Sequence, residues 1–194
     1  MRTPFLLAST SQWRQQLLAQ AGIACEAVDP GVDEATILDA VPAKMAMLRA
    51  QAKAGSVAHR YPGAWVLGAD QVAHQDGVCF GKPRDDADWR ARLRAMRGRT
   101  HTLSTGVCLI GPDELLECFH VDSGVRMRKD ISDIEIDRYI GCGEARGCAG
   151  GYMVERRGAW LIEAVEGDWT NVLGLPVLHV IGRLRARGWT MEVK

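Results

Sequence analysis

The sequence has 194 residues, of which 47% are hydrophobic and 25% charged, enough for a sizeable buried core. Its 24 basic and 24 acidic side chains cancel, which argues against a chain-wide basic surface for nucleic acid but leaves room for a local cationic pocket. The first apolar run is too short for a signal peptide or a membrane span, so we expect a cytoplasmic protein with no membrane partner.

The first half of the chain alternates apolar runs with helical spacing. We expect strands at residues 4–8 and 25–28 and helices at 12–21 and 41–60. On the longer helix Val41, Met45, Leu48 and Ala52 share one face, and Lys53 lies in its second half. The next apolar run, "AWVLGAD", predicts a strand that ends at Asp70.

The second half continues the alternation. "QVAHQ" and "VCF" flank Asp76-Gly77, a pair typical of hairpin turns. Further elements are a helix at 86–96, a long antiparallel pair joined at "GPDE", a helix opened by a Ser132–Glu135 capping box, a strand at "AWLIEAV" and a helix at 177–187. There is no repeat or linker, so we predict a single domain over residues 1–194 with an α/β architecture around one extended mixed sheet.

Six cysteines are scattered without a C-x-x-C pair, and we expect free thiols. Cys142 and Cys148 have no histidine close in sequence, which disfavours a zinc site there.

Four groups of polar residues lie where ligands collect in open α/β sheets. In "ASTSQWR", the hydroxyls of Ser9 and Ser11 and the guanidinium of Arg14 are suited to holding a phosphate at a helix start. The alternative is that a serine merely caps the helix while Arg14 is solvated.

The second group is Asp70, which must be solvated, paired or bound to a metal, unless it only caps a turn. Lys53 and Lys82 form the third group, either phosphate ligands or ordinary surface lysines. The fourth, Asp33-Glu34, is either a source of oxygen ligands for Mg²⁺ or Mn²⁺ or a solvated acidic loop. Together these groups describe carboxylates for a metal and cations for phosphates, the equipment of phosphoanhydride hydrolysis.

The order of several motifs resembles that of the Maf family of nucleoside triphosphate pyrophosphatases. The resemblance runs from about Leu6 to the final helix and is carried by "LLASTSQWRQQLL", "VDE", "QAKA", "GADQV", "GKP", "STGV", "IDRYI…GE", "CAGGY" and "GDWTNVLGLP". It implies an α/β fold of two lobes around a long bent mixed sheet with a central cleft, as in ITPase-like proteins, often assembled as a homodimer.

The resemblance also implies hydrolysis between the α and β phosphates of a nucleoside triphosphate, dependent on a divalent cation such as Mg²⁺, Mn²⁺ or Co²⁺. The family's base falls on Asp70, with Glu34 as its metal partner. The phosphate-binding positions fall on Ser9, Ser11, Arg14, Lys53 and Lys82.

One departure bears on specificity. The family's "SPRR" reads "SQWR" here, which places Trp13 where the branch acting on dTTP and UTP has arginine. Trp13, Gln71 and Glu155 follow the pattern of the branch that acts on 7-methyl-GTP. A tryptophan face attracts the positively charged 7-methylguanine ring, and a carboxylate accepts from the guanine edge. Alone, Trp13 would be read as packing on Leu17 at helical spacing, and Glu155 as part of a solvated turn.

Three alternatives stay open at this point. The same chemistry would serve dTTP, UTP or other modified nucleotides. A nucleotide-binding regulator of septum formation is the second alternative, since the family has been linked to inhibition of septum formation. A nucleic-acid-binding module is the third, and 6% aromatic residues with zero net charge give it little support.

Overall fold

The computed structural model describes residues 3–113, 115–148 and 150–190, which form one seven-stranded sheet packed against helices. The strands are β1 (Phe5–Ala8), β2 (Glu26–Ala27), β3 (Trp65–Gln75), β4 (Val78–Phe80), β5 (Thr100–Ile110), β6 (Leu116–Met127) and β7 (Ile162–Glu166). The helices are α1 (Gln12–Gln20), α2 (Pro42–Arg60), α3 (Asp86–Met96), α4 (Asp133–Cys142), α5 (Trp169–Val172) and α6 (Val177–Arg185). Short 3-10 turns cover Glu34–Thr36 and Arg157–Leu161.

The strand order is β2-β1-β3-β5-β6-β7, with β4 paired to β3. β1 runs parallel to β2 and β3, and the other pairs are antiparallel. The predicted α/β class with a mixed sheet is confirmed.

β3 differs from its prediction, because it does not end at Asp70. It continues to Gln75, since β5 pairs with it without interruption from Val66 to His74. On its other edge, β1 pairs only with residues 65–68 and β4 only with residues 73–75. Within the described chain, residues 69–72 therefore have no strand beside them on that edge, and Asp70 lies in this gap.

The buried face of α2 also differs from its prediction. Val41 and Leu48 are exposed, whereas the predicted Met45 is buried, and the helix also buries a row of alanines that includes Ala46, Ala50 and Ala54. The reason is the sheet beneath. A Cβ built on Gly68 would lie 2.3 Å from the carbonyl oxygen of Ala50, so the helix backbone rests directly on the strand and leaves no room for large side chains.

Most other predicted boundaries agree with the structure. Asp76 and Gly77 form the β3–β4 turn with φ of 51° and 80°, and α4 begins with the predicted capping box. β7 begins at Ile162 rather than Ala159, because the preceding residues form a 3-10 turn, and α6 ends at Arg185. Within the predicted motifs, Glu114 of "GPDE" and Ala149 of "CAGGY" lie outside the described residues.

Separate hydrophobic clusters pack at the two ends of the long strands. One includes Ala73 and Leu103 with residues of α3 and α4, and two others pack around Leu67 and Val66 on opposite faces of the sheet. Asp70 lies between these clusters along β3. In the described part of the chain no helix has the length and hydropathy needed to cross a membrane.

Candidate active site

Successive residues of β3 at the gap lie on opposite faces of the sheet. Asp70 lies on the face covered by α2, as do Gly68 and Val72, because alternate residues of a strand share a face. Gln71 lies on the opposite face, where it bonds to Thr105 of β5. A molecule bound at the gap can therefore contact groups from both faces.

Lys53 of α2 joins two carboxylates at the gap. Its Nζ lies 2.7 Å from Oδ1 of Asp70 and 2.6 Å from Oε1 of Glu34. Lys53 and Asp70 are only 4% and 5% exposed, whereas Glu34 reaches in from the exposed 3-10 turn Glu34–Thr36. Three of the predicted residues therefore lie together, with Lys53 in contact with both carboxylates.

The charges around Glu34 favour its ionised form. Burial raises the pKa of its carboxyl, but the hydrogen bond from Lys53 and the charges of Lys53, Arg49 and Arg14 outweigh burial, so the pKa lies below its ordinary value. Glu34 is therefore a carboxylate throughout the neutral pH range.

Arg49 is a neighbour of Asp70 that sequence reasoning missed. Its Nη1 lies 3.7 Å from Oδ2 of Asp70, and its Nε donates to the backbone carbonyl of Ile37 at 3.0 Å. Arg49 precedes Lys53 by four residues, which places both on one face of a helix. That spacing was the signal in the sequence that could have identified it.

The loop between β1 and α1 has two functions in the structure. Ser11 caps α1, its Oγ accepting from the backbone N–H of Arg14, so the capping interpretation holds for this serine. Ser9 accepts from the backbone N–H of Ser11 and, at 3.4 Å, from Nη1 of Arg14. Nε of Arg14 donates to the carbonyl of Gly174, which fixes the guanidinium beside the gap.

Arg14 also lies within electrostatic reach of the carboxylates. Burial lowers the pKa of its guanidinium, and the charges of Asp70 and Glu34 oppose that shift. Together with Lys53 and Arg49, Arg14 gives this cluster three cations for two carboxylates.

Lys82 lies further out. It is exposed in the loop after β4, and its charge acts on Cys148, where it opposes the rise in thiol pKa that burial and Glu155 produce. Among the described residues it makes no ion pair with Asp70 or Glu34. The structure therefore places it at the rim of the site, apart from the central cluster.

A cavity of about 210 Å³ adjoins the central cluster, and Trp13, Gln71 and Glu155 all contribute to its wall. Arg14 lines it as well, so the guanidinium lies between the cavity and the carboxylates. The guanidinium of Arg156 lies over the Trp13 ring, 5.1 Å from the ring centroid. The tryptophan that was expected to contact a cationic base thus already contacts a planar cation.

Gln71 is held in place by residues that sequence reasoning did not single out. Its Nε2 donates to Oγ1 of Thr105 and to the backbone carbonyl of Asn171. Asn171 is fully buried and donates to the carbonyls of Leu103 and Val121. The signal was the "GDWTN" motif, in which Asp168 caps the short helix that carries Asn171.

The donor set at the gap fits a divalent cation of the magnesium type. Oδ2 of Asp70 is buried and has no hydrogen-bond partner in the described structure, and Oε1 of Glu34 lies close by. Carboxylate oxygens are the donors that Mg²⁺ and Mn²⁺ prefer. No group of three or more acidic, histidine or cysteine side chains converges in the part of the chain described, so the protein offers two carboxylates and the remaining ligands would come from phosphate and water.

An α/β sheet that gathers carboxylates and cations beside a cavity with an aromatic wall is the kind of site that nucleotide-cleaving enzymes use. Residues 4–187 match the family described as "Maf-like protein". The chain belongs to the Maf family.

Relatives of similar identity to this chain carry different activity names. A 7-methyl-GTP pyrophosphatase of Xanthomonas oryzae pv. oryzae is 39% identical over 97% of this chain and 98% of its own length. A dTTP/UTP pyrophosphatase of Dictyoglomus turgidum is 37% identical over 98% of this chain and its full length. Among solved structures, the Ham1 protein of Staphylococcus aureus is a distant match, with a TM-score of 0.45 and 14% identity over 66% of this chain and 73% of that one.

Proposed function

We propose that this protein hydrolyses a nucleoside triphosphate between its α and β phosphates, releasing a nucleoside monophosphate and pyrophosphate, and that 7-methyl-GTP is its preferred substrate. The observation that carries the proposal is the junction at the β3 gap. There Lys53 contacts both Asp70 and Glu34. Arg14 lies between these carboxylates and the cavity lined by Trp13. A nucleoside triphosphate needs a charged site for its phosphates next to a cavity for its base.

In the proposed reaction Asp70 acts as the general base. Its carboxylate would orient a water for attack on the α phosphorus and take up the proton. Maf pyrophosphatases are generally metal-dependent, and a divalent cation held by Asp70 and Glu34 would supply Lewis-acid polarisation of the phosphate oxygens and of that water.

The cations act on the other side of the bond that breaks. Arg14 and Lys53, with Lys82 at the rim, would bind the phosphates and stabilise the negative charge that grows on the leaving pyrophosphate. Ser9 and Ser11 would contribute hydroxyl and backbone donors from the loop that already holds Arg14. Cation–phosphate contacts of this type orient the substrate as well as neutralise it.

Base recognition would lie in the cavity. The Trp13 ring would stack on the methylated guanine, whose positive charge adds about 0.5–2 kcal/mol of cation–π attraction over a neutral base. The guanidinium of Arg156 already lies over this ring, so the base would stack on the other face of the ring or displace Arg156. Glu155 would accept from the guanine edge, and Gln71, anchored through Nε2, would offer its Oε1.

The second candidate is the same reaction on dTTP and UTP. It is favoured by the relative of that name, whose identity to this chain is nearly as high as that of the 7-methyl-GTP enzyme. Global identity does not separate the two, so the choice rests on the three residues of the cavity wall.

The test is a substrate panel of 7-methyl-GTP, GTP, UTP and dTTP, with pyrophosphate detection in the presence and absence of a chelator. We expect kcat/KM to be highest for 7-methyl-GTP and activity to disappear with chelator. Glu155→Gln should reduce kcat/KM for 7-methyl-GTP by about tenfold or more, because a carboxylate that faces the cationic base is lost, and should spare UTP. Higher kcat/KM for the pyrimidine nucleotides in the wild type would overturn the choice of substrate.

A further inference from the structure

The ammonium of Lys53 lies where the two candidate metal ligands converge. Its Nζ contacts Oε1 of Glu34 at 2.6 Å and Oδ1 of Asp70 at 2.7 Å, and the side chain is almost fully buried. A lysine in this place supplies the positive charge that a pair of neighbouring carboxylates requires. It also uses one oxygen of each carboxylate.

The charge around this pair is already more than balanced. Lys53 and Arg49 both pair with Asp70, and Arg14 lies within electrostatic reach of both carboxylates. Three cations face two anions, so the cluster without phosphates carries a net positive charge. Such a cluster repels a free divalent cation and attracts a polyanion.

We propose that Lys53 is a mobile counter-ion that couples the binding of metal and triphosphate. While it bridges Glu34 and Asp70, it engages Oε1 of Glu34 and Oδ1 of Asp70, and its positive charge lies between the two carboxylates that would hold a divalent cation. When a triphosphate is bound, its negative charge draws the ammonium away, and Oε1 of Glu34 and Oδ1 of Asp70 become free. Metal and triphosphate therefore bind interdependently, each strengthening the other by the same factor.

The small number of protein ligands supports this coupling. The described residues offer only two carboxylates at the gap, so a bound cation needs phosphate oxygens to complete its coordination. Lys53 lies on a helix that rests backbone-to-backbone on the sheet, so we assign the exchange to a change of the lysine rotamer and not to a shift of the helix. The inference rests on the proposed function for its triphosphate, but its central measurement involves no turnover.

The experiment is a titration of Mn²⁺ followed by electron paramagnetic resonance of the free aquo ion. Wild-type protein is compared with and without inorganic triphosphate, with the triphosphate alone subtracted. We expect the bare protein to bind Mn²⁺ weakly and triphosphate to strengthen that binding by about tenfold or more. Equal affinity of the wild type for Mn²⁺ in both conditions would overturn the proposal.

Variants of Lys53 test whether its positive charge is what weakens the binding of Mn²⁺ to the bare protein. Lys53→Met should bind Mn²⁺ about tenfold or more tightly than the wild type when no triphosphate is present, whereas Lys53→Arg, which keeps the charge, should stay weak. Lys44→Met is the matched control on the same helix, since Lys44 is exposed and pairs with Asp39, and it should leave Mn²⁺ affinity unchanged. Lys53→Met that binds Mn²⁺ no better than the wild type contradicts the proposal.

A thermal unfolding control completes the design. A cooperative thermal transition of Lys53→Met, raised by Mn²⁺ in the absence of triphosphate, shows that the variant is folded and that the folded form binds the ion. If this variant does not fold, the wild-type comparison still decides. If the wild type and variants behave as expected while no nucleotide is cleaved, the coupling stands and only the proposed function fails.

Discussion

His101 is a buried titratable residue whose environment has a direct consequence for stability. It is 1% exposed, Nε2 bonds to the hydroxyl of Tyr152, and Nδ1 has no hydrogen-bond partner in the described structure. Burial, and secondarily the charge of His74, lowers the pKa of His101 to about 4. The folded protein therefore keeps this imidazole neutral at mildly acidic pH, where the unfolded chain protonates it.

This difference predicts a loss of stability on acidification. As the pH falls from about 6.5 towards 4, the unfolded state binds a proton that the folded state does not, so the free energy of unfolding decreases. Between about pH 7 and pH 5 the wild type should lose roughly 2 kcal/mol more than His101→Gln, which does not titrate. Urea denaturation of both proteins across this range is the measurement, and parallel pH profiles would show that His101 contributes no such dependence.

The chemistry of individual residues could be predicted from the sequence to different degrees. Asp70, Glu34 and Lys53 were grouped because each is a charged residue at a place where a sheet gathers ligands, and the structure brings them into contact. Arg49 was missed because a single arginine in a helix is ordinarily a surface residue, and only the packing of α2 turns it inward. The contact of Arg156 with Trp13 joins residues far apart in the chain, and nothing local in the sequence predicts it.

At the scale of elements, α2 and the glycines beneath it decide where Lys53 and Arg49 lie. Gly68 of β3 and Gly106 of β5 face the helix, and a Cβ on Gly106 would lie 2.3 Å from the backbone carbon of Ala46. This close approach sets the distance between α2 and the sheet. That distance in turn brings Nζ of Lys53 within contact of Asp70.

Gly68→Ala should therefore impair both stability and activity. The added methyl group would lie 2.3 Å from the carbonyl oxygen of Ala50 and 2.8 Å from the backbone nitrogen of Ala54, so α2 must move. We expect a loss of about 1–3 kcal/mol in the free energy of unfolding and a fall in kcat at temperatures where the variant is folded. Chemical denaturation and steady-state kinetics measure the two effects.

Gly55→Ala, on α2 itself, is the control for the glycine-to-alanine change in β3. A Cβ at Gly55 meets nothing within 4 Å, and alanine favours the helix by roughly 0.5–1 kcal/mol, so this variant should be at least as stable as the wild type and equally active. If Gly68→Ala behaved like Gly55→Ala, the close contact between α2 and β3 would not control the site.

The same helix shows why its buried face could not be predicted from hydrophobicity. The large apolar residues Val41 and Leu48 suggested one face, but directly over the glycines of the sheet the helix presents alanines, and both large residues are exposed. Which strand residues lie under a helix depends on topology, and topology is a property of the whole chain. The continuation of β3 beyond Asp70 could not be predicted for a related reason. It depends on pairing with β5, which lies about 30 residues further along the chain.

At the scale of the whole molecule, the long strands β3, β5 and β6 connect hydrophobic clusters at either end of the sheet, and the gap beside β3 lies between them. The cavity with Trp13 opens from one face of the sheet and the carboxylate cluster lies on the other. The sequence predicted the α/β class and the order of the elements well, because alternating apolar patterns and turn residues are local. The gap itself follows from β1 ending opposite Gly68 and β4 ending, at Phe80, opposite Ala73, and no local sequence pattern indicates either position.

The measurement that tests the central claim most directly is a comparison of Asp70→Asn with the wild type on one nucleoside triphosphate, with turnover and binding measured separately. If Asp70 is the general base of the reaction, the variant should lose about 10²–10⁴-fold in kcat. Calorimetric titration should still detect binding of the triphosphate. Pyrophosphate release by Asp70→Asn at the wild-type rate would contradict the account.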